Sequence, residues 1–370
     1  MDDDDDPSGS YGLHPIQIED KPVFDRYLSC CGTRLSDYTF ANTFIWREPI
    51  HLRWAVIGDC LCVFANGDGG LTLLFPPMGG GDLAHSLARC LEICDDYNAA
   101  NRFEGWTRIE YVSRQMLDRL APSPAEGLSP GRGFDVRPMS GDYVYLTERM
   151  TDLAGGDLAS KRQARNRFAR RYQARTEPFR PRHVEQCLAL LSLWNQQVER
   201  AAVLDTATPG QAGQALSSAS TKRSKDVQAA REAMIHCDAL GLKGMVLYAG
   251  DKTVGFTMGE MLDESTCSII IEKTDRQFAG SAQYIFSEFC RQFWAHARWC
   301  NVGDDWDVAS LAWTKESYRP AMRLEKFILR PVRAAREAAA VAPSTVASGD
   351  STRPEAVCQT IEAAGVHAGV

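Results

Sequence analysis

The sequence lacks the features that would place the protein in a membrane or outside the cell. No apolar run approaches the roughly 20 residues of a membrane-spanning helix. The first residues read MDDDDD, whereas a secretory signal begins with basic and then apolar residues. These two absences predict a cytoplasmic protein without a transmembrane segment.

Closely spaced metal ligands are also missing. The chain has 12 cysteines but no C-x-x-C pair, and its 7 histidines are scattered. A zinc site needs ligands at chelating spacing, and cytoplasmic proteins keep their thiols reduced. We therefore expect buried, reduced cysteines and no metal site.

The bulk composition is that of a globular protein large enough for two domains. The chain has 370 residues, is 44% hydrophobic and carries a net charge of −7. Nothing in the total charge indicates nucleic acid, so local basic patches decide that question. Low-complexity composition predicts a disordered acidic start (1–13), a mobile insert (about 203–226) and a disordered tail (332–370).

The ordered remainder divides into two similar halves, 14–138 and 139–331. Each half follows the order helix, hairpin, strand, helix, strand, helix. This is the element order of the GNAT acyltransferase fold, written twice. The sequence therefore predicts an α+β protein of two tandem GNAT-like domains, each a mixed, mostly antiparallel sheet flanked by helices.

Four segments in order resemble one family and together cover about 35–331. They are LSDYTFANTFIWR, DYVYLTERMTDLAGGDLASKRQARNRF, LGLKGMVL, and IIIEKTDRQFAGSAQYIFSEF followed by NVGDDWDVASLAWTKESYRP. The chain resembles the DUF2156 family, defined by the cytosolic C-terminal domain of phosphatidylglycerol lysyltransferases. The resemblance implies a tandem GNAT fold. It also implies transfer of an aminoacyl group from aminoacyl-tRNA to an amine or hydroxyl, on a small-molecule or lipid acceptor.

The chain departs from the family pattern at two places. Asp305-Trp306-Asp307 stands where the family has D-L-G, and Ala312 stands where L-R-x-x-K has its arginine. The lost glycine predicts a changed turn, and the lost arginine removes a fork for phosphate or carboxylate. These departures motivate a non-catalytic binding protein as one alternative function.

Aminoacyl transfer needs a deprotonated nucleophile and a stabiliser for the developing oxyanion. GNAT-type sites open where two neighbouring strands part, and here these are 268–273 and 299–303. Strict alternation would place Ile270 and Glu272 on one face of the first strand and Lys273 on the other. We favour Lys273 as the oxyanion or carboxylate partner, with Glu272 as the alternative, acting as a base.

Three further residues follow the second strand. Asp305 either orients an acceptor amine or caps the next helix, as aspartate commonly does. Lys315 and Tyr318 leave the last helix three residues apart and are candidates to contact a carboxylate or the tRNA end. The alternative for Lys315 is a cation placed near a helix C-terminus.

The turn after the first of these strands fits Q-x-x-G-x-A. Gln277, Gly280 and Ala282, with Ser281 between them, can cradle a pyrophosphate at a helix N-terminus. This pattern supports an acyl-CoA-dependent N-acyltransferase as the second alternative function. A plain helix start with a preceding glycine would look the same.

One helix, SKRQARNRFARRYQAR, carries seven cations and no acid. Such a surface favours phosphate, either of the tRNA backbone or of a nucleotide. An alternative is a solvated helix whose cations pair with acidic residues elsewhere in the protein. The residues assigned to phosphate binding are Lys161, Arg162, Arg165, Asn166 and Arg170. No bound cofactor is predicted beyond the donor, and the oligomeric state is not predicted.

Overall fold

The computed structural model describes residues 11–67, 70–103, 105–120, 133–205 and 212–332; within these, the side chains of 202–205 and 212–219 are not described. The predicted disorder at 1–10 and 333–370 lies outside the described residues. The strands are β1 (His14–Pro15), β2 (Leu52–Ile57), β3 (Cys60–Ala65), β4 (Thr72–Leu73), β5 (Ile109–Ser113), β6 (Phe134–Leu146), β7 (Ala174–Pro178), β8 (Lys243–Ala249), β9 (Lys252–Asp263), β10 (Thr266–Thr274), β11 (Trp299–Asn301) and β12 (Met322–Pro331). The helices are α1 (Lys21–Leu28), α2 (Phe40–Trp46), α3 (Leu83–Ala100), α4 (Arg114–Leu120), α5 (Thr147–Asp152), α6 (Ala159–Tyr172), α7 (Val184–Asp205), α8 (Ala212–Ile235), α9 (Cys237–Leu240), α10 (Ser281–Phe293) and α11 (Ala309–Glu316).

The twelve strands form one mixed sheet in the order β1-β2-β3-β4-β5-β12-β6-β11-β10-β9-β8-β7. Two pairs, β4 with β5 and β10 with β11, are parallel, and the other neighbours are antiparallel. Helices pack on this sheet, as the contacts of α3, α7 and α10 with neighbouring strands show. The predicted α+β fold with a mixed, mostly antiparallel sheet is confirmed.

The strand order repeats from each edge toward the middle. The first half contributes β1 to β5 and then meets β12, while the second half contributes β7 to β11 and then meets β6. In each half the parallel pair is followed, toward the middle of the sheet, by an antiparallel strand. This strand is β12 beside β5 in the first half and β6 beside β11 in the second. β12, late in the chain, therefore completes the sheet of the first half. The boundary between 138 and 139 stays a prediction, and β6 runs across it.

Three apolar clusters hold the sheet and its helices together. One packs α3 and α4 against the strands of the first half and includes Leu91 and Phe64. Another packs α10 and α6 against the second half, with Phe168 and Phe289 at its centre. The third is shared, since it contains Phe44 of the first half and Leu190 of the second. The buried area of this shared cluster ties the two halves together.

Most of the segment 203–226, for which the sequence predicts a mobile insert, is helical in the structure. α7 continues to Asp205, and α8 begins at Ala212 and runs to Ile235. The compositional bias toward serine and glycine suggested a loop. The same segment is also rich in alanine, leucine, lysine and glutamine, which are good helix formers and favour the observed helix. Residues 206–211 lie outside the described part of the chain.

Candidate functional site

β10 and β11 run side by side for only three residues and then part. Thr266 to Ser268 pair with Trp299 to Asn301, after which β10 continues to Thr274 while β11 ends. The second part of β10 keeps its other neighbour, β9. The opening therefore lies beside residues 269–274, where the sequence predicts the site.

A β-bulge in β10 changes which residues face that opening. The pairing register with β9 shifts between Ile269 and Ile271. Ile269 packs in the cluster under α10, whereas Ile271 packs in the cluster shared with α7 and α8. Strict alternation would keep these two isoleucines on one face, and it fails here because an extra residue at a bulge interrupts it.

Glu272 lies on the α10 face of the sheet and has no ionic partner. Its charge acts on Tyr318 and on Cys290 of α10, which places it on that side. The carboxylate is half-buried, and it has no hydrogen bond or ion pair with any described residue. Burial raises its pKa to about 8, against a smaller lowering by Lys273. A carboxyl group with such a pKa is suited to accept a proton near neutral pH.

Lys273 lies on the opposite face, toward α7 and α8. Its Nζ is 2.7 Å from Oδ2 of Asp226 and 4.3 Å from the ring centroid of Trp194. This ion pair is largely buried, with 11% and 18% of the two side chains exposed. The ammonium therefore holds α8 against β10 and does not share a wall of the opening with Glu272.

Tyr318 closes the α10 side of the opening. Its ring packs against Phe286 and Tyr145, with centroids 5.4 and 6.0 Å away. Burial raises the pKa of its phenol, so the hydroxyl stays protonated and can donate a hydrogen bond. Lys161 of α6 extends over this ring, with Nζ 4.8 Å from the centroid.

The other predicted residues of the basic helix divide into internal and exposed ones. Arg162 donates to the carbonyl oxygens of Leu153 and Gly155, which fastens α6 to the preceding loop. Arg165 donates to Ser287 of α10 and to its neighbour Asn166. Exposed side chains that a phosphate can reach are those of Asn166, Arg167, Arg170 and Arg171.

α10 begins at Ser281, and Gly280 before it provides no side-chain cap. Gly280 has φ 95°, and a Cβ there would lie 2.3 Å from the carbonyl oxygen of Ala164 in α6. Ser281 is buried and Gln277 is exposed. The glycine is thus required by the close approach of α6, and the first-turn N–H groups are left to other acceptors.

Asp305 is engaged by neighbouring groups of the protein. Its carboxylate accepts hydrogen bonds from Ser140 at 2.6 Å and from Tyr143 at 2.5 Å, and also from the backbone N–H of Asp307 at 3.0 Å. The carboxylate is therefore not free, and it does not cap α11 either, because the N-cap of that helix is Val308 and carries no side-chain cap. Trp306 and Asp307 adopt φ 51° and 57°, so the turn is left-handed although no glycine is present. Aspartate tolerates this region better than most residues.

Lys315 anchors the segment between β11 and α11. Its Nζ donates to the carbonyl oxygen of Val302 at 2.6 Å and to that of Asp304. Burial lowers its pKa to about 8, opposed by the charge of Asp304. Tyr145, which packs against Tyr318, donates to the Lys315 carbonyl oxygen at 2.8 Å. Lys315 therefore borders the opening from behind Tyr318.

The sequence gives no sign of a buried ion cluster behind the site. Lys326 of β12 is fully buried, and its Nζ lies 2.5, 2.7 and 2.9 Å from carboxylate oxygens of Asp37, Asp142 and Asp304. The motifs LSD and DYVYL contain two of these acids, but no local spacing links them to the lysine. The cluster fixes the loop before α2, strand β6 and the end of β11 to one point.

Two further absences hold for the part of the chain that the structure describes. No helix there is long and apolar enough to cross a bilayer. No group of three His, Cys, Asp or Glu side chains there is arranged to hold a metal ion.

Comparison with known proteins gives one matching family and several similar structures. The model of the family "Phosphatidylglycerol lysyltransferase, C-terminal" matches residues 31–330. A conserved protein of unknown function from Bacteroides thetaiotaomicron is 24% identical with a TM-score of 0.69, over 86% of this chain and 98% of that one. L-PGS from Bacillus licheniformis is 14% identical with a TM-score of 0.52, over 86% of this chain and 92% of that one.

A curated relative of unassigned function covers less of the molecule. It is an uncharacterized protein from Mycoplasmoides gallisepticum, 24% identical over 199 residues. The match covers 53% of this chain and 58% of the relative, so the chain spans less than two thirds of that protein's length.

Proposed function

The chain belongs to the family of the phosphatidylglycerol lysyltransferase C-terminal domain, and on that premise we propose that it transfers an aminoacyl group from aminoacyl-tRNA to an amine or hydroxyl acceptor. One observation carries the proposal. Where β10 and β11 part, the unpartnered carboxylate of Glu272 lies on the same side as the phenol of Tyr318 and the ammonium of Lys161. A base, a hydrogen-bond donor and a cation on one side of an opening suit transfer from an ester.

Glu272 and Tyr318 supply the proton movements in this proposal. The acceptor nitrogen or oxygen attacks the ester carbonyl and forms the new bond, while its proton passes to Glu272. The bond between the carbonyl carbon and the ribose oxygen then breaks, and the leaving ribose oxygen takes the proton that Glu272 accepted. The protonated phenol of Tyr318 donates a hydrogen bond to the developing oxyanion or to the leaving oxygen.

The cationic surface of α6 supports a donor that carries several phosphate groups. Arg167, Arg170 and Arg171 are exposed on the helix that crosses the start of α10. Backbone phosphates of tRNA match such a surface, and binding to it should weaken steeply as salt is raised. Lys161 connects this surface to the opening, because it is on the same helix and over Tyr318.

The test is single-turnover transfer from a panel of aminoacyl-tRNAs to amine and hydroxyl acceptors. Glu272→Gln should reduce the rate by about 10²- to 10⁴-fold, the usual contribution of a general base. In the wild type the rate should rise with pH up to about 8, because Glu272 must be deprotonated to act.

Glu260→Gln is the matched control for this test. Glu260 is also half-buried with a pKa raised to about 7 by burial, but it lies near Thr39, Lys21 and Asp25 of the first half. Its variant should transfer at close to the wild-type rate. Equal rates for Glu272→Gln and the wild type would contradict the proposed role, and tRNA binding without transfer to any acceptor would favour the binding-protein alternative.

A second candidate, an acyl-CoA-dependent N-acyltransferase, is favoured by the uncapped start of α10. The pyrophosphate of CoA suits free first-turn N–H groups. Gly280→Asp is a poor test because any Cβ would collide with α6. Ala282→Glu instead places a carboxylate in the first turn and should abolish a thermal shift produced by acyl-CoA. No shift with any acyl-CoA in the wild type would count against this candidate.

A further inference from the structure

We propose that Lys161, Trp313 and Tyr318 form a subsite for an adenosine phosphate, with the base stacked on Trp313 and the phosphate paired with Lys161. The inference rests on the proposed function. Both donors considered above, the 3′ end of a tRNA and CoA, carry an adenosine next to a phosphate.

Trp313 is exposed where a packing role would require burial. Its side chain is 71% exposed, more than any other large apolar residue in the described part of the chain. It lies on α11, two residues before Lys315 and five before Tyr318. An exposed indole at the rim of a polar opening is a stacking surface, since every nucleobase has a face that fits it.

Lys161 lies between two aromatic rings and has no carboxylate partner among the described residues. Its Nζ is 5.6 Å from the ring centroid of Trp313 and 4.8 Å from that of Tyr318. Burial lowers the pKa of this ammonium. Lys161 is partly shielded from water and has no carboxylate partner among the described residues. Pairing with a phosphate would compensate the ammonium for its lost hydration.

A similar pair in the first half shows what a purely structural arrangement looks like. Arg108 lies 5.1 Å from the ring centroid of Trp106, which is 39% exposed. Arg108 is also 2.5 Å from Oε1 of Glu110, so this ion pair neutralises its charge within the protein. The Lys161 and Trp313 pair lacks such an acid, and this difference points to an external anion.

The ligand class follows from the two contacts together. A flat aromatic ring beside a phosphate describes a nucleotide, whereas a lipid headgroup lacks the ring and an amino acid lacks the phosphate. The opening with Glu272 lies past Tyr318, so a nucleotide held at the rim would extend its reactive end inward. The 3′-terminal adenosine of tRNA, esterified on its ribose, has this arrangement.

The test measures fluorescence anisotropy of a 5′-labelled RNA hairpin that ends in CCA, at constant salt. A second hairpin is identical except that its terminal nucleotide lacks the base. Trp313→Ala should weaken binding of the CCA hairpin by about tenfold to a hundredfold, and Trp313→Phe should keep most of the affinity. The abasic hairpin should bind weakly and equally to the wild type and Trp313→Ala. Trp106→Ala, the matched control, should not change binding of either hairpin.

A parallel arm compares CoA with 4′-phosphopantetheine, which lacks the adenosine. Dependence on Trp313 with the RNA hairpin supports both the subsite and the tRNA donor. Dependence with CoA alone supports the subsite and overturns the tRNA donor. If Trp313→Ala binds the CCA hairpin and CoA as the wild type does, or if neither ligand binds the wild type, the subsite is refuted. Transfer activity is measured separately, so its loss with an intact subsite refutes only the proposed reaction.

Discussion

The two halves use the same strand order but differ in the side chains beside their parallel pairs. In the first half β4 pairs with β5 only at Leu73 and Ile109, and the chain then continues along β3, where Met78 pairs with Leu61. In the second half β10 likewise continues along β9 after β11 ends. Both parallel pairs therefore part, and the side chains at the two places distinguish the halves.

The side chains at these two places differ in character. Rings of Tyr38, Phe75 and Tyr111 pack together in the first half, with centroids 4.6 and 6.1 Å apart. The second half has the unpartnered Glu272 beside Tyr318 in its opening. Apolar filling stabilises a fold, whereas an unpaired carboxylate in a partly buried opening costs stability and is typical of functional sites.

The helices that follow the parallel strands begin differently as well. Asp82 caps α3 by accepting a hydrogen bond from the backbone N–H of His85 at 3.0 Å. α10 begins at Ser281, after Gly280, with no side-chain cap. A carboxylate of the protein interacts with the helix dipole in the first half, and no side chain caps the start of α10. The comparison supports the proposal that the second half carries the chemistry.

The largest expected effect comes from breaking the point where the halves meet. Lys326→Met removes the only cation within 3 Å of the carboxylate oxygens of Asp37, Asp142 and Asp304 among the described residues and leaves these buried carboxylates without a cationic partner. We expect the free energy of unfolding to fall by about 3–5 kcal/mol. Urea denaturation should show a single transition if the halves unfold together.

The neighbouring residue provides the control for that experiment. Glu325 pairs with Arg114 on the surface, at 3.1 Å and with both side chains at least half exposed. Glu325→Gln should change the stability by less than about 1 kcal/mol. Equal losses for the two variants would mean that the buried cluster does not join the halves.

A smaller effect should follow from neutralising the open site. The pKa of Glu272 is about 8 in the folded protein, above its ordinary value of 4.5. The folded state therefore holds this proton more tightly, so wild-type stability declines as pH rises from about 4.5 to about 8. Glu272→Gln should be more stable than the wild type at pH 9 by at least about 1.4 kcal/mol, the equivalent of one pKa unit. Urea denaturation at pH 4 should show no difference, and a variant less stable at pH 9 would contradict the assignment.

The smallest expected effect concerns the capped helix of the first half. Asp82→Ala removes the cap of α3 and should lower the free energy of unfolding by about 1 kcal/mol. Asp96→Ala, at an exposed position inside the same helix, is the control and should be close to neutral. Thermal unfolding of the two variants measures the difference. No loss with Asp82→Ala would show that this cap, like the uncapped start of α10, contributes nothing.

Local signals in the sequence predict the element order and the place where the strands part. Turn residues, apolar periodicity and the glycine before α10 are all short-range features. The bulge in β10 could not be predicted because three successive isoleucines show no alternation to interrupt. The ion cluster of Lys326 could not be predicted because its three carboxylates come from distant segments of the chain. The helix α8 was not predicted because its serine and glycine content is typical of a loop. Asp307 adopts a left-handed conformation at the position where the family pattern has glycine, which the residue type alone did not predict.

The position of β12 has a consequence for synthesis on the ribosome. β12 is the last strand in the described chain, yet it is the antiparallel neighbour of β5. A nascent chain that has emerged only as far as β5 exposes an unpaired strand edge, which is a site for wrong pairing and aggregation. The sheet of the first half is therefore complete only after β12, which follows the other strands of the second half, has been translated.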